Sequence, residues 1–128
     1  MNKLNIDDLV SEGFHISIAD SADSIVVIFN GSIDIQEPQY MLEEYFDVIH
    51  EKALKSGLKQ IYCDFKGLDY INSSGIKSLL KWILKNYNGL DHEQQYSYIF
   101  IVDNDSKWQA DSIGFLKNIA PELIAIQN

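Results

Sequence analysis

The chain has 128 residues, 46% hydrophobic and 12% aromatic, enough to bury one core and too few for two ordinary domains. With 19 acidic against 10 basic residues its formal net charge is −9, a field that repels nucleic acid and anionic membrane and favours a basic or mixed protein surface as partner. A single cysteine, Cys63 in the apolar run IYCDF, excludes an intramolecular disulfide and reads as a buried structural thiol.

Residues 1–12 contain no continuous apolar stretch of the kind that forms a leader, and they are read as an N-terminal extension of a single domain spanning 1–128. Apolar runs elsewhere, such as IVVIF, fall far short of membrane-spanning length, so a soluble, cytoplasmic protein without membrane insertion is expected. FHISIAD and SIVVIFNG are β-branched stretches separated by the turn formers Asp20, Ser21, Ala22 and Asp23, which predicts a hairpin. GSIDIQEP follows as a loop that carries Asp34 and ends at Pro38. From there Leu42, Tyr45, Phe46, Ile49 and Ala53 recur at helical spacing until Gly57. Glu37, Glu43 and Glu44 lie early in this helix and Lys52 and Lys55 late, as its dipole favours.

KQIYCDF predicts a short apolar strand and KGLDYIN a loop leading out of it. The next helix is expected from about Ser73 to Tyr87, with Ile76, Leu79, Leu80, Ile83, Leu84 and Tyr87 as its apolar stripe. Lys77, Lys81 and Lys85 form a ladder on the solvated flank, and Trp82 falls opposite the centre of the stripe, where core packing does not require it. After the polar connection NGLDHEQQ, YSYIFIVD predicts a strand buried on both faces. NDSKWQADSIGFLKNIA predicts a third helix, weakened by Ser112 and Gly114 and stopped by Pro121, and ELIAI a last strand. The order β-β-α-β-α-β-α-β predicts an α/β domain with a mixed, mostly parallel β-sheet, an N-terminal antiparallel hairpin and three helices.

Chemistry concentrates in YINSSGI, residues 70–76, where a strand signal gives way to a helix signal. Asn72 or Ser73 can cap the helix by accepting free amide hydrogens of its first turn, and Gly75 permits close backbone approach. The same geometry tolerates a phosphoryl group on Ser73, because free amide hydrogens and the positive end of the helix dipole face it. A phosphate there changes surface charge without disturbing the core, which suits control of a protein contact.

The segment from Gln60 to Leu80, QIYCDFKGLDYINSSGIKSLL, resembles the signature of the STAS domain, whose anti-sigma factor antagonists read as strand, loop, apolar-Asp-Ser-Ser-Gly and amphipathic helix. GSID, Gly31 to Asp34, resembles the Gly-x-x-Asp turn that follows the second strand of that family, and the order of elements is similar over roughly residues 14 to 126. The resemblance implies a STAS-like fold and a non-enzymatic regulator of a bacterial partner-switching pathway acting on transcription. Unmodified antagonists bind a switch kinase or anti-sigma factor and free its other client; a protein serine kinase releases them by phosphorylation, and a metal-dependent serine phosphatase restores them. It further implies that Ser73 is the phosphoacceptor, with Ser74 as second choice, and that Asp34, Asn72, Ser74 and Gly75 lie at the partner contact. Lys77 and Trp82 are added from the residues themselves, tryptophan being enriched at binding hot spots. Asn72 departs from the aspartate usual at that position, keeping the cap and losing a charge. Other STAS proteins serve signalling complexes or lipid transport, so a constitutive scaffold or subunit without a phosphoswitch is the alternative. No cofactor or metal is implied.

Other chemistries find less support. INSSGI lacks the Gly-x-Ser-x-Gly elbow and no histidine stands in a triad order, which argues against a serine hydrolase. Neither a dinucleotide turn nor a phosphate-binding Gly-Lys-Ser/Thr is present. His15, His50 and His92 lack metal-ligand spacing. DNDSKWQADSIG begins like a calcium loop but carries Lys107, Trp108 and Gly114 where a ligand, the turn glycine and the bidentate glutamate are needed. Asp64, at a strand end, reads as a residue that fixes the following loop.

Overall fold

Alternation along the strands shows which face of the sheet is covered. Strand β2 (Phe14–Ser21) buries Phe14, Ile16 and Ile18 and turns His15 and Ala19 to solvent, and strand β3 (Ser24–Ile33) buries Ile25, Val27 and Phe29. This is the period of a sheet packed on one side only. The computed structural model describes residues 2–128. Its remaining elements are β1 (Leu9–Ser11), α1 (Gln39–Ser56), β4 (Gln60–Ile71), α2 (Ser73–Gly89), β5 (Ser97–Ile101), α3 (Lys107–Ile119) and β6 (Ile124–Gln127).

The six strands lie in sequence order, antiparallel from β1 to β3 and parallel from β3 to β6. Each crossover from β3 onward moves one strand in the same direction, and right-handed crossovers of that kind put α1, α2 and α3 on one face. The core lies between that face and the helices. Phe29 stacks on Phe65 at a centroid distance of 4.7 Å, and Phe65 meets Phe100 edge-on at 5.2 Å. The mixed sheet, the antiparallel hairpin and the three helices agree with the sequence prediction.

Several local expectations are corrected. Residues 1–12, expected as an extension, supply β1 and place Leu4 and Ile6 in the core. Strand β4 continues through the expected loop to Ile71, because its pairing with β3 absorbs two register shifts, between Asp64 and Gly67 and between Leu68 and Tyr70. Those bulges break the period-two pattern that a sequence reader relies on. Strand β5 buries only Tyr98 and Phe100; Ile99 and Ile101, expected inside, lie half-buried on the face without helices.

The largest correction concerns α2. Its buried residues are Gly75, Ser78, Leu79, Trp82, Ile83 and Asn86, the expected stripe displaced by one residue. Trp82, expected at the surface as a partner contact, is 2% exposed. It stacks on Phe46 at 4.9 Å and donates its indole N–H to the Tyr96 hydroxyl at 2.7 Å. Polar groups share this buried face because each finds a partner: Ser78 Oγ donates to the Ser74 carbonyl, and the Asn86 amide both donates to and accepts from the Tyr96 backbone. His50 Nδ1 lies 2.7 Å from the same Tyr96 hydroxyl, so Trp82, Tyr96 and His50 form one buried hydrogen-bonded chain.

Of the lysine ladder, Lys81 pairs with Glu43 at 3.2 Å and Lys85 with Asp47 at 3.0 Å, bridging α1 and α2 where they run parallel. Exposed pairs like these contribute at most about 1 kcal/mol each. The parallel crossovers from β3 to β4 and from β4 to β5 bring both helix N-termini to the same end of the molecule.

Candidate functional site at the start of helix α2

Strands β3 and β4 end side by side, with Ile33 opposite Ile71. The chain then passes through Asn72 into α2, and Asn72 is its N-cap: Oδ1 accepts the Gly75 N–H at 2.9 Å, while the Asn72 carbonyl accepts the Ile76 N–H. Two further bonds reach across to the loop after β3. The Asn72 backbone N–H donates to the Ile33 carbonyl at 2.9 Å, and its side-chain Nδ2 donates to the Ile35 carbonyl at 3.0 Å. Asp34 sits between those two acceptors, exposed to solvent, so one residue holds the Asp34 loop against the start of α2.

Ser73 is the first residue of the helix and is exposed; Ser74 is half-buried. Among the described residues no acceptor meets the Ser73 and Ser74 N–H groups, and no acidic side chain lies in the first turn of α1 or α2. The helix start therefore offers free N–H donors and the positive end of the α2 dipole, with Asp34 on the loop beside it. Lys77, exposed one helical turn after Ser73, forms no ion pair among the described residues.

Gly75 is buried beneath this turn, which corrects its assignment to a partner surface. A Cβ there would lie 2.6 Å from Ile71 Cγ1 and 3.3 Å from Ile33 Cγ2, so only glycine seats the helix on the strand ends. In the neighbouring GSID stretch Gly31 has a φ of 93°, and a Cβ on it would lie 2.2 Å from the Gly13 carbonyl oxygen.

Support for the β4 end comes from a residue the sequence reading missed. Pairing with β5 stops at Asp64, which leaves β4 beyond it without a strand on that side. Gln109 of α3, 1% exposed, fills the gap: Nε2 donates to the carbonyls of Phe65 at 2.8 Å and Leu68 at 3.2 Å, and Oε1 accepts the Asp103 N–H at 2.8 Å. A lone polar residue in a weak helix signal gave no warning of that role. Asp64 accepts the Lys66 N–H at 3.0 Å and so fixes the first bulge locally. Tyr40 and Tyr70, 72% and 47% exposed, add apolar surface near the same end.

Chemically, the site offers an accessible hydroxyl. No imidazole or carboxylate hydrogen-bonds to Ser73 or Ser74 among the described residues, and His50 is committed to Tyr96. Among the described residues no cluster of His, Cys, Asp and Glu could hold a metal ion, and no helix is long and apolar enough to cross a membrane.

No protein-family model matches the sequence, and no curated protein matches it. Solved structures do. An anti-sigma factor antagonist from Mycobacterium paratuberculosis aligns with a TM-score of 0.60 at 16% identity, over 88% of this chain and 86% of that one. The anti-sigma factor antagonist SpoIIAA in its unphosphorylated form aligns with a TM-score of 0.58 at 13% identity, over 88% of each chain. The phosphorylated form of SpoIIAA, a Bacillus cell fate determinant, gives 0.56 at 15% identity, over 88% of this chain and 91% of that one. At these identities the likeness is one of fold, and the chain has the STAS-like fold of anti-sigma factor antagonists.

Proposed function

We propose that this protein is a non-enzymatic regulatory binding module whose contact with a protein partner is switched by phosphorylation of Ser73. The observation that carries the reading is the position of Ser73: exposed, first in α2, beside unpaired amide hydrogens and one turn before the free cation Lys77. A phosphoryl group there meets free amide hydrogens and the positive end of the α2 dipole, and the hydrophobic core is untouched. The absence of an adjacent base fits a substrate of another enzyme rather than a nucleophile.

The partner in this reading is a serine kinase of the anti-sigma factor type, and a serine phosphatase reverses its action, with transcription as the output and the cytoplasm as the setting. The contact surface comprises the Asp34 loop, Ser73, Ser74, Lys77 and the exposed rings of Tyr40 and Tyr70. Asn72 serves it from behind as the residue that joins the two loops. Phosphate at such a surface adds about two negative charges where the contact must desolvate, which breaks the complex.

The experiment is affinity capture from the protein's own cells with wild type, Ser73→Ala and Ser73→Asp. Wild type and Ser73→Ala should retain a partner that Ser73→Asp loses, while all three melt at closely similar temperatures. Equal capture by all three would leave the fold as a constitutive scaffold, and a large loss of stability in Ser73→Asp would contradict the surface position assigned to that residue.

A further inference from the structure

Three helices cover one face of the sheet, and nothing covers the other among the described residues. The registers of β2 to β6 place Ala19, Val26, Tyr62, Ile99 and Ala125 in one row across the uncovered face, without a charge. The adjacent row is Ser17, Ile28, Asp64, Ile101 and Gln127. Asp64 is the only carboxylate in these rows, on a chain with 19 acidic residues. Val26, Ile28, Tyr62, Ile99 and Ile101 are half-buried by their neighbours, which leaves an apolar centre, while His15, paired with Asp8, and Asn30 at one end and Gln60 and Ser97 at the other form polar margins.

We propose that a second copy of this chain docks on this open face. Five strands about 4.8 Å apart and the three rows from Gln60 to Asp64, about 7 Å apart, give about 500 Å² per copy, and two such faces together reach about 1,000 Å², the least that a specific interface needs. An apolar centre with a polar margin is also the anatomy of such interfaces. Charge selects the arrangement. A two-fold axis along the uncharged row lays each β4 antiparallel over its counterpart, sets the apolar row against itself, and places Asp64 opposite the Gln60 amide of the second copy rather than opposite another carboxylate. Elsewhere two chains of charge −9 repel. Because the strands of the two copies run in opposite directions, the two α2 starts lie at opposite ends of the pair, and both stay open. The inference does not rest on the phosphoswitch.

Sedimentation equilibrium of the full chain from about 10 µM to about 1 mM tests it. Wild type and Ser73→Ala should both approach the mass of two chains as concentration rises. Ile99→Lys should hold the mass of one chain throughout at an unchanged melting temperature, since a half-buried lysine can extend its ammonium to solvent. Gln60→Glu, which sets carboxylate against carboxylate and leaves the apolar rows intact, should weaken association at least tenfold. A wild type that stays a single chain across the range overturns the proposal, whether or not another protein is later found on this face. So does a dimer that neither substitution affects. In either case the behaviour of Ser73 is left as it stands.

Discussion

The side-chain amide of Asn72 donates to the Ile35 carbonyl at 3.0 Å while its oxygen caps α2 through the Gly75 N–H. Aspartate can perform the second task and not the first, because a carboxylate has no hydrogen to donate. At this position asparagine is therefore a tie between two loops as well as a cap. It trades a charge near Ser73 for a bond that keeps the Asp34 loop in place.

Asn72→Asp should gain up to about 1 kcal/mol from the helix dipole and lose more than that where its oxygen confronts the Ile35 carbonyl, for a net destabilisation of about 1 kcal/mol. Asn72→Ala, which loses both bonds, should cost about 2 kcal/mol. Urea unfolding of the three proteins checks the order. An aspartate variant as stable as wild type would show that the Ile35 bond contributes nothing.

Gln109→Leu should destabilise the fold by about 2–3 kcal/mol, because it leaves two carbonyls and an amide hydrogen of the β4 bulge and β5–α3 loop without partners. Gln109→Glu should be nearly as damaging, since a carboxylate can serve Asp103 and neither carbonyl. Denaturant midpoints measure both effects. If the glutamate variant matches wild type, the bonds to Phe65 and Leu68 are not what holds the bulge.

Much of this architecture is legible in the sequence where one physical signal dominates. The hairpin follows from two β-branched runs around a turn cluster, and α1 from the stripe of Leu42, Phe46, Ile49 and Ala53 that the structure buries. The start of α2 is visible as a cap signal at Asn72 or Ser73, and the structure assigns it to Asn72. What escaped is what hydropathy cannot register. Ser78 and Asn86 look like surface residues until their partners are known, and treating them so moves the apolar stripe of α2 by one residue and puts Trp82 outside. The bulges in β4 hide a strand inside what reads as a loop, and the three-residue β1 is too short for any periodicity to show. Gln109 and the Ile35 carbonyl lie far in sequence from the residues they serve, so only the fold brings them to the site.

Folding stability should carry a histidine signature. Burial, with Lys85 adding to it and Asp47 and Glu51 opposing, pulls the His50 imidazole below its ordinary value, and its Nδ1 is hydrogen-bonded to the Tyr96 hydroxyl. The unfolded chain takes up a proton below about pH 6.5 that the folded chain refuses. The contribution is full above that value and is lost progressively as pH falls below it, levelling once the lower folded value is passed. Urea unfolding at about pH 7.5 and about pH 5 should therefore show a larger loss for wild type than for His50→Gln, which cannot titrate. Equal losses would mean that His50 accepts the proton in place.

The central claim is that the exposed serine at the start of α2 carries phosphate. Site-resolved phosphopeptide mass spectrometry, on protein isolated from its own cells with and without phosphatase inhibition, tests it most directly. The account predicts phosphate on Ser73, more of it when the phosphatase is inhibited, on a protein whose melting temperature is nearly that of the unmodified form. Phosphate absent from Ser73 under every growth condition would contradict it and reduce the YINSSGI stretch to a helix cap.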